Sequence, residues 1–386
     1  MKDIERIGKK ERFYIDEVLK DYFRTSSGSK MNTRLEKAFS ELYGTEFAIT
    51  FVNGTATMHS TLIAAGIGEG DEVIVPPLTM ASTTFAVLHA GAIPIYADVD
   101  PLTYQIDPKS IKQKINKKTK AIITVALYGL SPDMDEIMKI ANESNLFVLE
   151  DNAETMLSYY KGKLAGTIGN AASFSFQSSK HLTAGEGGIV ITDDEELALS
   201  IRRVSSLGYS GVSSGKGKIT KSQIQLPSYF RHVSTGFNYR MPELCAAVTL
   251  GQLERVEELV DRRIKVAELY EEVIKDYKWL TPQQTPDNCI NSYWTYVAKL
   301  ENPKVGWINF RDKFLEFGGD GIYGPWKLTY QEPFYKDLPN KESNPKCPIA
   351  EKLQTSLLQF KTNYWKWNEA EMQAEALKKT LDYFSG

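Results

Sequence analysis

The first two-thirds of the chain alternates short apolar runs with amphipathic helical patterns, which constrains the fold more than any other feature. Such alternation is typical of an α/β protein, in which helices cover both faces of a mostly parallel sheet. Ligands of these sheets gather at the carboxyl ends of the strands. Amphipathic patterns cover 55–65, 84–90 and 133–144. The predicted strands span 47–52, 73–75, 93–97, 121–126, 147–150, 172–176 and 189–192.

The last third of the chain has a different pattern. It is strongly helical over 242–274, and it then predicts a strand over 294–300 and a helix over 307–317. A chain of 386 residues, 42% of them hydrophobic, can bury the cores of two domains. We expect a large domain over 1–254, with an N-terminal helical segment, and a smaller α+β domain over 255–386.

The composition narrows the class of protein. The net charge of -3 gives no reason to expect nucleic acid as a partner. Cys245, Cys289 and Cys347 lie far apart without metal-ligand spacing, which predicts free thiols in a reducing cytoplasm and no metal site. The charged N-terminus lacks the apolar stretch of a signal peptide, and no window resembles a membrane span. We expect a soluble cytoplasmic protein.

Four segments at predicted strand ends could assemble one site. Residues 175–188 carry a lone lysine between a buried strand and a glycine-dense turn, where desolvation would raise the nucleophilicity that Schiff-base chemistry needs. Residues 53–57 begin a helix, as an anion cradle or as an ordinary N-cap. Acids in 149–154 and polar residues in 236–242 equally fit a site or a helix cap. Together the segments meet the needs of pyridoxal 5'-phosphate (PLP): a cradle, a carboxylate and a lysine.

Six segments follow one another along the chain: Asn53-Gly54-Thr55-Ala56, Pro76-Pro77-Leu78-Thr79, residues 128–135, Glu150-Asp151-Asn152-Ala153-Glu154, residues 175–188, and residues 236–241 continuing to Gln252-Leu253. In these segments the chain resembles the DegT/DnrJ/EryC1/StrS family of sugar aminotransferases, within the aspartate aminotransferase superfamily. The resemblance implies PLP-dependent transferase fold type I, with a mostly parallel seven-stranded sheet in the large domain and a smaller C-terminal α+β domain.

The resemblance also implies a role for each site residue. Lys180 would bind the cofactor covalently and then carry the proton, while Asp151 would pair with the pyridine nitrogen. Glu154 would lie near the 3'-oxygen, and Ser175 would bind the phosphate. Asn238 would reach the phosphate of the neighbouring subunit, which implies a homodimer with shared active sites. The implied cofactor-binding set is Gly54, Thr55, Ala56, Met80, Asp151, Glu154, Ser175, Lys180 and Asn238.

The substrate side is less regular than the cofactor side. Met80 stands where the family usually stacks an aromatic residue on the ring, and its polarizable sulfur can replace that contact. The segment 323–330 lacks the histidine that the family often carries there. Tyr323, Lys327 and His181 are candidate substrate contacts, although His181 also fits a neighbour that only packs.

A stretch from 208 to 236, rich in Ser, Gly and Lys, predicts either a flexible surface loop or a functional loop over the site. Its Lys216, Lys218, Lys221 and Arg231 could bind a nucleotide diphosphate or could form a solvated surface charge set.

Lys180 separates two branches of the family, since members with histidine in its place act as deoxysugar dehydratases. We therefore expect an aminotransferase in which L-glutamate converts PLP to pyridoxamine 5'-phosphate and leaves as 2-oxoglutarate. The keto group of a nucleotide-linked sugar then accepts the amine, for amino-sugar and surface-glycan (lipopolysaccharide O-antigen) biosynthesis. A PLP-dependent dehydratase or other lyase and a non-catalytic regulatory relative stay open, although Lys180 and Asp151 together argue against the latter.

Overall fold

The computed structural model describes residues 1–24, 28–212, 225–302 and 304–386. Its strands lie in one large sheet and two small ones. In chain order they are β1 (Phe47–Phe51), β2 (Glu72–Val75), β3 (Ile93–Tyr96), β4 (Thr119–Val125), β5 (Phe147–Asp151), β6 (Tyr159–Tyr160), β7 (Lys163–Leu164), β8 (Ala171–Ser175), β9 (Gly188–Thr192), β10 (Leu280–Pro282), β11 (Cys289–Ile290), β12 (Thr295–Leu300) and β13 (Leu357–Lys361).

Helices flank these sheets, and within the described ranges none is long and apolar enough to span a membrane. The α-helices are α1 (Lys9–Lys20), α2 (Met31–Tyr43), α3 (Gly54–Ala64), α4 (Ser82–His89), α5 (Pro108–Lys114), α6 (Met134–Ser144), α7 (Glu195–Ser205), α8 (Glu243–Leu253), α9 (Val256–Ile274), α10 (Trp307–Glu316), α11 (Pro348–Gln354) and α12 (Trp367–Ser385). Short 3-10 helices lie at Leu127–Gly129, Thr329–Gln331 and Pro333–Asp337.

The large sheet has the strand order β1-β9-β8-β5-β4-β2-β3. Strand β9 is antiparallel to both of its neighbours, and the other neighbouring strands are parallel. Most residues of these strands are buried, as expected where helices cover both faces of a parallel sheet. Because β5 and β8 are parallel, with Asp151 paired to Ser173, their carboxyl ends open side by side. The predicted α/β fold with a mostly parallel seven-stranded sheet is confirmed.

The C-terminal part has its own three-stranded antiparallel sheet, β10-β12-β13. Tyr270 of α9, Phe310 of α10 and Leu377 of α12 pack with Phe360 of β13 in a separate apolar cluster. The strand predicted over 294–300 and the helix predicted over 307–317 both belong to this part of the chain.

The helical pattern over 242–274 resolves into two helices, α8 and α9, separated at residues 254 and 255. The break lets Leu250 of α8 pack with Leu35 of α2, while Tyr270 of α9 packs on the small sheet. The continuous hydrophobic pattern over 242–274 therefore belongs to two helices that pack on different parts of the molecule, α2 and the C-terminal sheet. The sequence periodicity alone does not distinguish them. We propose the domain boundary at this break, as expected from the sequence.

Candidate active site

Lys180 lies in the turn after β8, with its amine turned toward the interior. Its side chain is only 14% exposed, and its Nζ lies 3.3 Å from Oε1 of Glu154. The same Nζ lies 4.4 Å from the centroid of the Trp294 ring. A cation between a carboxylate and an aromatic face has lost most of its water. Lys180 is therefore placed for chemistry and not for surface hydration.

Asp151 ends β5 and is also buried. Its Oδ2 accepts a hydrogen bond from the Thr83 hydroxyl at 2.9 Å, and its Oδ1 accepts one from the Ala153 amide at 3.1 Å. Burial raises the pKa of Asp151, while these hydrogen bonds and the charge of Lys180 oppose the shift. The carboxyl group is fixed in place by neutral donors and can pair with a further cation.

Glu154 is held between backbone and lysine. Its second oxygen, Oε2, accepts a hydrogen bond from the Tyr128 amide at 3.1 Å. Tyr128 has a φ of 66°, in the left-handed region, and such strain concentrates at functional sites. Burial raises the pKa of Glu154, and the charge of Lys180 opposes that rise.

The neighbouring acid Glu150 has a different function, although the sequence places it one residue from Asp151. It accepts hydrogen bonds from the amides of Gly166 (2.7 Å), Ile168 (2.8 Å) and Gly169 (2.6 Å). Successive residues of a strand face opposite sides of a sheet, so only one of the two acids can face the lysine. Glu150 therefore anchors a loop.

The predicted anion cradle lies at the start of α3. The Asn53 side chain caps the helix by accepting the Ala56 amide at 2.8 Å, while Thr55 lies partly exposed in the first turn. A Cβ added to Gly54 would lie 3.0 Å from Cβ of Ser175, so the end of β8 directly adjoins the helix N-terminus. Backbone amides beside a hydroxyl suit a phosphate group.

Met80 and Asn238 lie farther out. Met80 is 49% exposed ahead of α4, and its carbonyl accepts the Thr83 amide at 3.3 Å, which links it to the residue that holds Asp151. Asn238 is exposed and forms an isolated β-bridge with Ser206. Within the described part of the chain, Asn238 has no hydrogen bond to the lysine or to the carboxylates.

The substrate candidates are dispersed. His181 is buried and its Nε2 lies 2.9 Å from the Ser292 carbonyl. Burial, followed by the charge of Arg263, lowers the pKa of His181 well below its ordinary value, so the imidazole is neutral. Tyr323 lines a cavity of about 420 Å³ together with Trp294, on the side of the turn that carries Lys180.

Arg231 and Lys327 are exposed. The Arg231 carbonyl accepts the Ser210 amide at 3.0 Å, which ties its segment to the chain after α7. Lys216, Lys218 and Lys221 lie outside the described residues. Their predicted contact with a diphosphate stays a prediction.

Sequence reasoning missed several residues of this site. Thr83 carries no distinguishing signal, because its hydroxyl resembles any other in the first turn of a helix. The pattern around Trp294 predicts only the start of a strand. Arg6 and Arg263, which contact the backbone of the lysine turn, carry no local signal, because they lie 174 and 83 residues from Lys180 in sequence.

Three features of the site together define a class of enzyme: the largely buried Lys180, the buried Asp151 carboxyl at the end of β5, and the N-terminus of α3 beside the Ser175 hydroxyl. These groups match the three needs of PLP, which are covalent attachment, a partner for the ring nitrogen and a phosphate cradle. Together with the sheet topology, they define a PLP-dependent enzyme of fold type I.

The comparisons with known proteins identify the family. The model of the DegT/DnrJ/EryC1/StrS aminotransferase family matches residues 5–367, and the chain belongs to this family of PLP-dependent aminotransferases. The chain is 38% identical to GDP-perosamine synthase of Escherichia coli O157:H7 over 285 residues, which are 74% of this chain and 73% of that protein. It is 32% identical to UDP-2-acetamido-2-deoxy-3-oxo-D-glucuronate aminotransferase of Pseudomonas aeruginosa, over 84% of each chain. The crystal structure of an aminotransferase from Psychrobacter cryohalolentis matches with a TM-score of 0.89 at 25% identity over 100% of both chains.

Proposed function

We propose that this protein transfers an amino group from L-glutamate to the keto group of a nucleotide-linked sugar, for amino-sugar and surface-glycan biosynthesis. The observation that carries the proposal is the Lys180 amine, held between Glu154 and Trp294 next to the buried Asp151. The names of the relatives, a GDP-sugar synthase and a UDP-sugar aminotransferase, support the class of acceptor.

The residues of the chain divide the work among them. PLP, when bound, supplies the electron sink for moving a proton at the substrate carbon. Lys180 would hold the cofactor and would then move that proton, while Glu154 and Trp294 stabilise the amine when it is charged and free. The Asp151 carboxylate favours a protonated ring nitrogen, because an opposite charge favours the charged form of its partner.

Phosphate binding falls to the α3 N-terminus, through Thr55 and Ala56, and to the Ser175 hydroxyl. We also propose a homodimer in which Asn238 serves the active site of the partner subunit. Its exposure, without a hydrogen bond to the described residues around Lys180, supports a role outside its own site. The three cysteines of the described chain are free, which supports a reducing cytoplasm as the place of the reaction.

The test is incubation of the PLP-loaded protein with L-glutamate and a panel of GDP- and UDP-linked ketosugars, followed by mass spectrometry. We expect one acceptor to gain an amine while 2-oxoglutarate accumulates in equal amount. Lys180→Ala should abolish the product and the borohydride-reducible attachment of PLP, seen as loss of the band at about 400–430 nm. Loss of a sugar hydroxyl without amine gain would favour a dehydratase instead, and product formation by Lys180→Ala would refute the mechanism.

A further inference from the structure

Three consecutive backbone carbonyls in the lysine turn accept hydrogen bonds from arginine side chains. Nη2 of Arg263 donates to the carbonyls of Ser179 (2.7 Å) and Lys180 (3.0 Å). Arg6 donates from Nη2 to Lys180 and from Nη1 to His181, each at 2.5 Å. Two groups that are remote in sequence therefore hold the peptide that bears the lysine side chain.

Arg263 also fixes the aromatic wall beside the lysine amine. It is 1% exposed, and its Nη1 donates to the Trp294 carbonyl at 2.8 Å and to the Thr362 hydroxyl at 3.2 Å. The Trp294 indole in turn donates to the Ser179 carbonyl at 3.1 Å. One guanidinium thus orients both the turn and the ring that faces Nζ of Lys180.

Arg6 belongs to the N-terminal strap, which we define as residues 2–8. The carbonyl of Arg6 accepts a hydrogen bond from the Gln252 side chain at 3.2 Å, and its guanidinium lies 4.5 Å from the centroid of the Trp365 ring. The Ile4 amide donates to the Trp365 carbonyl at 3.0 Å. The strap is therefore fastened at Ile4 and at Arg6, and the Arg6 side chain reaches the active-site turn.

This arrangement carries an electrostatic cost. Burial lowers the pKa of Arg263 well below its ordinary value, and the charge of Arg6 lowers it further. Burial and the charge of Arg255 lower the pKa of Arg6 to about 10. Neighbouring buried cations destabilise a fold unless strong hydrogen bonds compensate them, and the charge-assisted bonds here go to the lysine turn. Strongly shifted pKa values of this kind cluster at functional sites.

We propose that Arg6 and Arg263 are positioning residues for Lys180, and that the N-terminal strap is a working part of the active site. The inference rests on the role proposed above for Lys180. A lysine side chain has several rotatable bonds, so its amine returns to one point beside Glu154 only if its peptide is fixed. Misplacement of a reacting group by one ångström can cost about 100-fold in rate.

The test uses Arg6→Met and Arg263→Met in the full-length, PLP-loaded protein. Both substitutions keep an aliphatic stem and remove the donors. We expect kcat of the complete transamination, with glutamate as donor, to fall about 10- to 100-fold. The KM for glutamate should change by less than about threefold, because positioning acts on the chemical step. Without substrate, the pH at which the visible band titrates should rise, because removal of a nearby cation favours the protonated form. Arg6→Lys keeps the positive charge but has fewer hydrogen-bond donors than arginine. It should therefore cause a smaller loss of kcat and a smaller shift of the visible band than Arg6→Met.

Arg34→Met is the matched control. Arg34 of α2 is a partly buried arginine that donates from Nη1 to Oε2 of Glu17 at 2.6 Å. Within the described chain it has no hydrogen bond to the strap or to residues 179–181, so kcat should stay within about twofold of wild type.

Wild-type kcat and an unshifted band in a folded Arg6→Met protein would overturn the proposal, and so would an equal loss in Arg34→Met. If Arg263→Met does not fold, Arg6→Met, at a partly exposed position, decides alone. Failure of the proposed function has a separate signature, namely retention of the reducible attachment in Lys180→Ala.

Discussion

At the scale of single residues, the adjacent acids Glu150 and Asp151 lie in one strand but differ in their roles. Glu150 holds a loop in place, and Asp151 is the proposed partner of the cofactor nitrogen. Both are buried at the end of β5, yet Glu150 is bound by three backbone amides and Asp151 by one amide and a threonine hydroxyl. The number of fixed donors, and the face of the sheet, decide which acid can pair with a cofactor nitrogen.

This contrast gives a paired prediction. Asp151→Asn should lower kcat about 100-fold or more while the protein stays folded, because an amide cannot hold the ring nitrogen protonated. Glu150→Gln should leave kcat near wild type and lower the free energy of unfolding by about 1–3 kcal/mol, because one amide donor loses its acceptor. Steady-state kinetics and urea unfolding measure both. A catalytic loss confined to Glu150→Gln would contradict the assignment.

A second prediction at this scale concerns the pH dependence of stability through Glu154. Burial raises the pKa of Glu154 in the folded protein above the ordinary value of 4.5, so the unfolded chain releases that proton first as the pH rises. The folded state then holds more protons, and the free energy of unfolding decreases with pH across the interval between the two pKa values.

Glu154→Gln removes this titration. The free energy of unfolding of the variant, relative to wild type, should therefore increase with pH through that interval and level off above it. Urea unfolding of cofactor-free protein between about pH 5 and 8 measures the difference. Glu143→Gln, on an exposed face of α6, controls for the substitution itself. The opposite slope would mean that the pairing with Lys180 outweighs burial.

At the scale of elements, β9 closely approaches the start of α3, where the phosphate cradle is proposed. A Cβ at Gly188 would lie 2.8 Å from the carbonyl of Asn53 and 3.0 Å from the amide of Gly54. A side chain at residue 188 would therefore displace either β9 or the first turn of α3, so the proposed cradle predicts that PLP binding depends on this glycine.

Gly188→Ala should accordingly weaken PLP binding, because the methyl group displaces the first turn of α3. The free energy of unfolding should fall by about 1–3 kcal/mol, as for overpacking elsewhere. Equilibrium dialysis of PLP and thermal unfolding measure the two effects. Gly68→Ala, whose nearest contact would be the Ala90 carbonyl at 3.6 Å, is the control and should change neither. Unchanged PLP affinity in Gly188→Ala would mean that PLP binding does not depend on the contact between β9 and α3.

The elements also explain what the sequence could predict. The seven strands of the large sheet follow local periodicity, and they were predicted correctly. The same periodicity puts Asp151 and Lys180 at or just after strand ends, and the roles predicted for them there stay predictions. Contacts such as Thr83 to Asp151, or Arg6 to Lys180, join segments 68 and 174 residues apart. Such pairs depend on how the helices and the strap pack, which no local pattern encodes. The helical pattern over 242–274 likewise did not show that two separate helices meet at the predicted domain boundary.

At the scale of the whole molecule, the question is whether one chain contains a complete site. Lys180, Asp151 and Ser175 converge at one sheet edge, whereas Asn238 lies exposed at a β-bridge to Ser206. If Asn238 serves the partner subunit, each site of a homodimer combines residues of two chains. A site then contains both substitutions only when Lys180→Ala is on one subunit and Asn238→Ala is on the other.

We expect Asn238→Ala to lose most activity, because the proposed phosphate contact is removed, and mixing it with Lys180→Ala tests this arrangement. Their hybrid dimer would contain one site with both substitutions and one with neither, so subunit exchange should restore about one quarter of wild-type activity when half of the dimers are hybrids. Sites built within one chain would each keep a substitution, and the mixture would stay as inactive as its components. Subunit exchange, followed by native mass spectrometry, must be complete before the assay. Restored activity with a wild-type KM for the acceptor would place Asn238 in the partner's site, and no restoration would place it in its own.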